Sequence, residues 1–519
     1  WVAISMSKTI IIIGAGLAGL SAALQAAENG CNVKLVSSLP SERAQSVMAE
    51  GGINAALNTK DENDSPEEHF TDTIKAACGL ADPNAVWGMT QAAPELVHWL
   101  LKLGVKFNMS GYDDVDLRNF GGQKKKRTAF AQSDTGKQIM TAMIDAVRRK
   151  EASGMVERFS HHSFLTLRLC GNICCGCVIR DEYSQETVEL PGDAVIVATG
   201  GMHGLFGNTT GSLSNTGEVT AELFRLGVPL ANGEMIQYHP TTVKCGGKRM
   251  LISEAARGEG GRLFAMKDGK QWYFMEEKYP ELGNLMPRDI TAREIWKVSH
   301  ESELFLDMTE ISEEIISNKL SGLADDSMTY LHKDIRKEPV SVLPGIHYFM
   351  GGILVDEQHR TPVQNLYAAG ECCAQYHGAN RLGGNSLLGA LYGGRVAAKS
   401  ACEQADVVDL SCATQIDFPP ASQISEIKQL NKVMQETMGV VRNENTLLNG
   451  IQTVQALTGN LPLLGMAVLK SALARKESRG AHWREDYPKS NDDDYLKTTV
   501  ARFDGKQIQI SFVPVPERR

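Results

Sequence analysis

Residues 10–19 read Ile-Ile-Ile-Ile-Gly-Ala-Gly-Leu-Ala-Gly, and this stretch decides the fold. The apolar run predicts a short buried strand of a parallel sheet, and residues 20–27 favour a helix. In such a strand, turn and helix, Gly14 permits the turn, Gly16 lets backbone approach a pyrophosphate, and Gly19 lets the helix pack on the strand. An ordinary glycine-rich turn is the alternative. Because the helix N-terminus would face phosphates, the sequence predicts a dinucleotide site.

The second predicted strand ends without the acid that usually binds a ribose. It covers residues 32–36, and Ser37 and Ser38 follow it, so one of these serines takes the ribose-binding role. Two later segments, 193–201 and 365–371, are apolar runs that each end in a turn of small residues. Distant segments that return to one site favour FAD over NAD, since FAD is long enough to lie across a sheet.

Five further segments place charged residues beside glycine, proline or small residues. Such residues mark tight turns, where backbone comes close to a ligand. The segments contain arginines and histidines, and fixed cations are what a small dicarboxylate requires. They are 237–241 (QYHPT), 253–261 (SEAARGEGG), 287–289 (PRD), 347–352 (HYFMGG) and 380–386 (NRLGGNS).

Together with residues 120–122, 127–128, 198–201 and 477–482, these segments resemble the flavoprotein subunit of succinate dehydrogenase and fumarate reductase. The resemblance runs from about Lys8 to about Pro488 and favours the fumarate reductase branch. It implies an α/β protein: a Rossmann-like FAD-binding domain with an inserted α+β capping domain and a C-terminal helical domain. We expect the FAD-binding domain at residues 6–232 and 347–402, the capping domain at 233–346, and the helical domain with its tail at 403–519.

The resemblance also implies a reaction, in which fumarate becomes succinate by hydride transfer from flavin N5 and proton transfer from Arg288. Glu254 and Arg257 would return the proton to Arg288, and their spacing puts them on one face of a helix. The residues that would bind the two carboxylates are His239, Ser253, His347 and Arg381. Those that would contact FAD are Gly14, Ala15, Gly16, Ala18, Gly19, Ser37, Ser46, Gly51, Gly52, Ala198, Thr199, Gly200, Glu371, Arg381, Ser386 and Leu387, and Arg127 and Thr128 are expected near the flavin.

One position departs from the family pattern. Most respiratory members carry a histidine a few residues before a Glu-Gly-Gly or Gln-Gly-Gly turn, and that histidine bonds covalently to the flavin. Here the turn is 50–52, and the matching residue is Gln45, which cannot form this bond. We therefore predict non-covalent FAD. A lower flavin potential would follow, and it would favour reduction of fumarate over oxidation of succinate.

Three other functions remain open. L-Aspartate oxidase is a sister enzyme with non-covalent FAD, although residues 120–136 and Met350 look more like the reductase. A reductase of another unsaturated carboxylic acid would use the same hydride step with a different side pocket. An electron-transfer or assembly protein would keep the flavin without a substrate, but it would have no use for His239, Arg288 and Arg381.

Composition limits the partners and the location. A formal charge of −9 gives no basic surface for nucleic acid, and no stretch reaches the ~18 to 20 apolar residues of a membrane span. The odd count of eleven cysteines suits a reducing compartment. The cluster Cys170, Cys174, Cys175 and Cys177 fits no familiar metal-ligand spacing and is interpreted as packed free thiols. We expect a cytoplasmic chain, attached to a membrane if at all through a partner, that receives electrons from a separate iron–sulfur subunit; a quinol, a thiol or a nicotinamide could be their source.

Overall fold

A five-stranded parallel sheet forms the centre of the FAD-binding region. The computed structural model describes residues 7–111, 113–405, 418 and 423–519. The sheet contains strands in the segments that begin at residues 10, 32, 193 and 365, as the sequence predicted. The order of its strands is Leu366–Ala368, Ala194–Val197, Thr9–Ile13, Asn32–Ser37 and Val156–Ser160. The run of isoleucines is buried on both faces, as central parallel strands require.

Alternate isoleucines of this strand face two different layers. Ile10 and Ile12 pack on a layer of helices, while Ile11 and Ile13 pack on an antiparallel sheet. That sheet consists of His162–Cys170, Ile173–Asp181 and Thr187–Pro191. The helices are Leu17–Glu28, Pro66–Ala76, Pro83–Leu103, Thr135–Ala152 and Asn385–Gln404, and Glu218–Arg225 lies on the antiparallel side.

The cysteine cluster lies on the antiparallel sheet. Cys174, Cys175 and Cys177 are buried free thiols on one strand, which confirms packed thiols for these three. Burial raises the pKa of Cys174 to about 12, so the group stays protonated at neutral pH. Cys170 is disulfide-bonded, and the interpretation as a free thiol is wrong for that residue.

The inserted region has its own two sheets and its own apolar core. One sheet contains Ile236–Cys245, Lys248–Leu251 and Leu343–Phe349, and the other contains Arg262–Lys267, Lys270–Trp272, Leu304–Asp307 and Val340–Ser341. Its helices are Glu254–Gly258, Phe274–Lys278, Arg288–Val298, Glu313–Lys319, Ser321–Asp326 and the π-helical turn Ser327–Leu331. We call this region the cap.

Helices and a terminal strand pair complete the chain. The helices are Ile424–Thr437, Glu444–Val454, Asn460–Ala474 and Asp492–Tyr495. The terminal strands, Lys497–Phe503 and Ile508–Pro514, join a sheet with Leu230–Ala231, Gly352–Leu354 and Cys373–Ala374. The limits of the three domains stay predictions, and the parts of them at residue 6, 406–417 and 419–422 lie outside the described residues. No helix in the described ranges is long and apolar enough to cross a membrane.

A small sheet beside the FAD-binding turn contains Ile53–Asn54, Leu117–Arg118 and Thr128–Ala129. Arg127 precedes the last of these strands and is fully buried. Its guanidinium lies 2.8 Å from Asp64 and 2.9 Å from Asp72. Arg127 and Thr128 lie outside the cavity lining described below, and two acids hold Arg127 in the protein interior. Its expected place near the flavin stays a prediction.

We expect Arg127→Met to lower the free energy of unfolding by at least about 3 kcal/mol, because two buried carboxylates would lose their cation. Chemical unfolding of the FAD-bound chain measures the change. Lys126→Met is the control, since Lys126 is the exposed neighbouring cation and should change stability by less than about 0.5 kcal/mol. Equal stability of the two variants would contradict a supporting role for the buried ion pairs.

Candidate active site

One cavity of about 880 Å³ runs between the parallel sheet and the cap. It brings together nearly all of the residues that the sequence predicted, although they come from segments spread over most of the chain. Of the predicted site residues, Gly19 and Arg257 lie outside the lining. Those that line it are Gly14, Ala15, Gly16, Ala18, Ser37, Ser46, Gly51, Gly52, Ala198, Thr199, Gly200, His239, Ser253, Glu254, Arg288, His347, Glu371, Arg381, Ser386 and Leu387.

The glycine turn has the tight geometry that a dinucleotide site needs. Gly14 has φ +109°, and a Cβ built there would lie 2.2 Å from the carbonyl oxygen of Ala198. A Cβ on Gly19 would lie 1.8 Å from the carbonyl oxygen of Gly14. Gly19 therefore packs the helix against the turn rather than facing the cavity, and Gly16 faces the cavity as predicted.

Two of the helices that begin at the cavity belong to the helical layer of the FAD-binding region. The first, Leu17–Glu28, begins beside Ser46, whose Oγ accepts a hydrogen bond from the Leu17 backbone N–H at 3.2 Å. The second, Asn385–Gln404, places Ser386 and Leu387 in its first turn. Backbone N–H groups at the start of a helix favour anions such as a pyrophosphate.

Ser37 supplies an observation that fits a ribose. Its hydroxyl is buried at the end of the second strand, lines the cavity, and has no hydrogen-bond partner in the described protein. Buried hydroxyls are usually hydrogen-bonded, so this one is suited to a ligand hydroxyl. The residues present therefore fit FAD.

The acid–base residues form a compact relay inside the cap. Glu254 and Arg257 share the short helix Glu254–Gly258, with 3.6 Å between Oε1 of Glu254 and Nη2 of Arg257. Arg288 begins the helix Arg288–Val298, and its Nε and Nη2 donate to Oε2 of Glu254 at 2.8 and 2.6 Å. The carboxylate thus lies between two buried guanidiniums, and Arg288 opens into the cavity.

Burial alone would raise the pKa of Glu254, but Arg288 and Arg257 hold that pKa below its ordinary value. Arg257 is fully enclosed, and burial lowers its pKa. Its Nη1 donates to the Asn284 carbonyl at 2.6 Å. An ionised acid between two cations can accept a proton from one and return a proton to the other, which is the chemistry that a relay needs.

The two histidines sit on neighbouring strands with their ring centroids 5.2 Å apart. His239 Nδ1 lies 3.1 Å from the Thr241 carbonyl and 3.3 Å from the Thr241 backbone nitrogen, so either tautomer of this ring has a partner there. His347 Nδ1 bonds the Thr210 hydroxyl at 2.7 Å. Burial and Arg288 lower the pKa of both rings well below the ordinary value. Neutral imidazoles can donate one hydrogen bond each to a carboxylate.

Arg381 is a buried cation without a carboxylate among the described residues. Its guanidinium lies 4.1 Å from the ring centroid of Tyr348, and its Nε has no hydrogen-bond partner there. Burial, and then the neighbouring Arg288, lower the pKa of Arg381 to about 9. A bound carboxylate would satisfy this group, so the site is suited to an anion.

Several contacting residues were missed by the sequence reasoning. Gln237 accepts from Arg288 Nη1 at 3.1 Å and donates to the Arg381 carbonyl at 2.8 Å, so it bridges the two arginines. Gly121 donates its backbone N–H to Glu254 Oε1 at 2.9 Å. Both residues lie in segments that carried the family resemblance, and this was the one feature of the sequence that could have indicated them as site residues.

The sequence analysis used the turn at residues 50–52 but did not predict an unusual pKa for Glu50. It lines the cavity, and its Oε2 is shielded from solvent without a hydrogen-bond partner. Burial, with smaller contributions from Asp326 and Asp134, raises the pKa of Glu50 to about 8. The cavity therefore holds a neutral carboxylic acid at neutral pH.

This pKa makes the stability of the FAD-free chain depend on pH. Between about pH 4.5 and 8 the folded chain keeps the Glu50 proton and the unfolded chain does not, so the free energy of unfolding falls as pH rises. We expect Glu50→Gln to remove roughly 2 kcal/mol of this decline, less than the full shift implies because water enters the cavity. Unfolding by urea across that range measures it, with the exposed Glu186→Gln as control. Parallel pH curves for all three chains would contradict the assignment.

Comparison with known proteins identifies the family. The model of the FAD binding domain matches residues 9–387, and that of the fumarate reductase flavoprotein C-terminus matches residues 457–518. The succinate dehydrogenase flavoprotein subunit of Bacillus subtilis is 37% identical, over 99% of this chain and 98% of that protein. The chain belongs to the succinate dehydrogenase and fumarate reductase flavoprotein family. It is an FAD-dependent oxidoreductase of that family.

Relatives in this family include enzymes named for each direction. The 8-methylmenaquinol:fumarate reductase flavoprotein subunit of Wolinella succinogenes is 32% identical, over 99% of this chain and 92% of that protein. A variant of the E. coli quinol fumarate reductase flavoprotein superimposes with a TM-score of 0.89, at 27% identity, over 98% of this chain and 97% of that one. The fold class that the sequence predicted, with FAD-binding, capping and C-terminal helical domains, is confirmed.

Proposed function

We propose that this chain reduces fumarate to succinate, with Arg288 as the proton donor. The observation that carries the proposal is the relay of Arg257, Glu254 and Arg288, which is buried at one end and opens into the FAD cavity at the other. Arginine has an ordinary pKa far above neutral and is a weak acid. Arg288 can recover the proton that it gives up, because the carboxylate of Glu254 contacts two of its nitrogens. Arg257 lies on the other side of that carboxylate and can supply the next proton.

The substrate would be held by groups that favour charge on its carboxylates. Arg381 and Arg288 supply fixed positive charge, and His239, His347 and Ser253 supply neutral donors at the same cavity wall. Ser253 also begins the helix Glu254–Gly258, and its Oγ accepts from the Ala255 N–H at 3.3 Å. Cations around a carboxylate stabilise the enolate-like charge that develops when the adjacent double bond is reduced. FAD, when bound and reduced, supplies the hydride from its N5.

Gln45 supports the direction of the reaction and the way in which FAD is held. It lines the cavity in a short 3-10 helix, Gln45–Met48, directly before the Glu50 turn. We propose that FAD is bound without a covalent bond, because an amide cannot replace the imidazole that forms the bond in relatives. The lower potential that follows favours donation of electrons to fumarate.

Acid precipitation tests the mode of FAD binding. We expect the yellow flavin to appear in the supernatant when the purified chain is denatured in acid, and the pellet to carry no flavin fluorescence in a denaturing gel. Flavin that stays with the polypeptide would contradict non-covalent binding.

An anaerobic assay tests the activity. The chain is reduced with dithionite, excess reductant is removed, and fumarate is added while the flavin spectrum is followed. Reoxidation of the flavin with formation of succinate is the expected result. Hydrogen peroxide formed from L-aspartate would identify L-aspartate oxidase, and reoxidation by another enoate with fumarate inert would identify a different acid. A flavin that no acid reoxidises would favour the electron-transfer or assembly role.

We also propose that a separate iron–sulfur subunit supplies the electrons. The relatives above are named as flavoprotein subunits, and the sequence of this chain offers no familiar cluster-ligand spacing. Purification of the native complex followed by iron and sulfide analysis tests this. Active native protein that contains this chain alone would overturn it.

A further inference from the structure

The wall of the cavity that belongs to the cap carries two cations with no assigned role. Lys248 and Arg249 lie at the start of the strand Lys248–Leu251, which forms a hairpin with Ile236–Cys245. Both line the cavity; Lys248 is exposed and Arg249 is half-buried. The hairpin therefore marks a point where the cavity meets solvent.

Arg249 is held in place by uncharged oxygens. Its Nε donates to the Thr242 hydroxyl at 2.5 Å, and its Nη2 lies 3.3 Å from the Leu343 carbonyl. Among the described residues no carboxylate lies within ion-pair distance of Arg249 or Lys248, whereas most of the cap's other arginines contact an acid. Burial lowers the pKa of Arg249, as expected for a guanidinium without a counter-charge. Glu254 and Asp326 are the cap acids on the same cavity lining, and neither makes an ion pair with Lys248 or Arg249.

The position of Arg249 connects the hairpin to the proposed dicarboxylate site. Its side chain packs on Gly345, where an added Cβ would lie 2.6 Å from the Arg249 Cδ, and Gly345 precedes His347 by two residues. Its backbone N–H donates to the Thr209 carbonyl at 3.1 Å, and the next residue, Thr210, holds His347. Arg249 thus adjoins both segments that position His347, and Lys248 is its solvent-exposed neighbour on the same cavity lining.

We propose that Lys248 and Arg249 form an entry site for the dicarboxylate, which binds there before it reaches His347 and Arg381. This inference rests on the proposed function. The whole chain carries a formal charge of −9 and repels a dianion, so a local path of unpaired cations raises the concentration of dianion at the cavity mouth. The contribution is to the association rate, because neither residue belongs to the relay.

Rapid mixing of the FAD-bound chain with malonate tests the entry site. Malonate is a dicarboxylate without a double bond, so its binding is followed as a change in the flavin spectrum and no turnover is needed. We expect Lys248→Gln with Arg249→Gln to lower the association rate constant roughly tenfold at low ionic strength. The difference should shrink toward zero at about 0.5 M salt, where screening acts within a few ångströms. The rate constant kcat for fumarate should stay unchanged.

Two further variants separate charge from packing. Arg249→Lys keeps the charge but cannot make the same hydrogen bonds to Thr242 and Leu343, and it should retain most of the association rate. Lys506→Gln removes one positive charge from an exposed turn outside the cavity lining and should bind malonate like the wild type. An Arg249→Lys chain as slow as the double variant, or a double variant with an unchanged rate and salt dependence, would overturn the entry site.

The same experiment distinguishes this failure from failure of the proposed function. A wild-type chain whose flavin responds neither to malonate nor to fumarate contradicts dicarboxylate binding altogether. A wild-type chain that binds malonate at the rate of the double variant contradicts the entry site alone. Equal FAD content in all four chains, measured by absorbance, shows that the cations act on the dicarboxylate and not on the cofactor.

Discussion

Arg288→Gln should lower kcat for fumarate reduction by about 10⁴-fold while FAD stays bound. The amide keeps a polar group at the cavity but has no proton that it can give up and recover. In this variant Arg257 is the one cation among the described residues that still contacts Glu254. That contact keeps Glu254 ionised and the helix Glu254–Gly258 in place. Anaerobic turnover with a reduced dye and the flavin absorbance of the same sample measure both parts of the prediction.

The matched control for this variant is Arg293→Gln on the same helix. Arg293 lies over the ring of Trp483 at 4.0 Å and outside the FAD cavity lining, so its loss should leave kcat within a factor of a few. Arg288→Lys is a second comparison, because lysine restores the charge without the two-nitrogen contact to Glu254. An Arg288→Gln chain with normal turnover would refute the assigned proton donor.

Arg381→Met should lower kcat/KM for fumarate roughly 5,000-fold, a loss of about 5 kcal/mol. A carboxylate that enters the buried site would then meet Arg288 alone, and one of its charges would be left without a cation. Methionine has a similar length and can remain in contact with Tyr348, so the substitution removes charge with little change in packing. Because Arg381 acts on substrate and transition state together, we expect KM to rise and kcat to fall.

Arg395→Met is the control for loss of a cation near this position. Arg395 lies on the helix Asn385–Gln404 and over the ring of Trp99 at 4.8 Å, outside the FAD cavity lining. Steady-state kinetics of Arg381→Met and Arg395→Met measure the change in kcat/KM. The affinity of each variant for malonate measures carboxylate binding without turnover. Malonate affinity that Arg381→Met leaves untouched would rule out a carboxylate contact.

Patterns within a short stretch of sequence were sufficient to predict the parts of the fold that depend on neighbouring residues. The strand Thr9–Ile13, its glycine turn and the following helix are encoded within twenty positions, and Gly14 and Gly19 have the tight backbone contacts that their spacing predicts. Residues 313–326, by contrast, form two helices, Glu313–Lys319 and Ser321–Asp326, rather than one. Leu320 is buried in the cap core, which sets the change of direction through long-range packing.

The site itself depends on residues that are far apart in the chain. Glu254 and Arg288 are 34 positions apart and were connected by family resemblance, not by spacing. The two acids that hold Arg127 lie more than 50 positions before it and cannot be recognised from its own segment. The raised pKa of Glu50 arises from burial and from Asp326 on the cap, and no sequence window contains both residues.

The covalent route into and out of the cap consists of two antiparallel strands, and each carries one of the two histidines. The backbone that joins the cap to the rest of the chain therefore also presents the two imidazoles. We expect that a ligand bound to both imidazole rings also restricts motion of the cap relative to the parallel sheet. Binding of the ligand would then be detectable as a more rigid cap. Limited proteolysis of the cap should slow when malonate is present, even in an enzyme whose flavin is fully oxidised and idle.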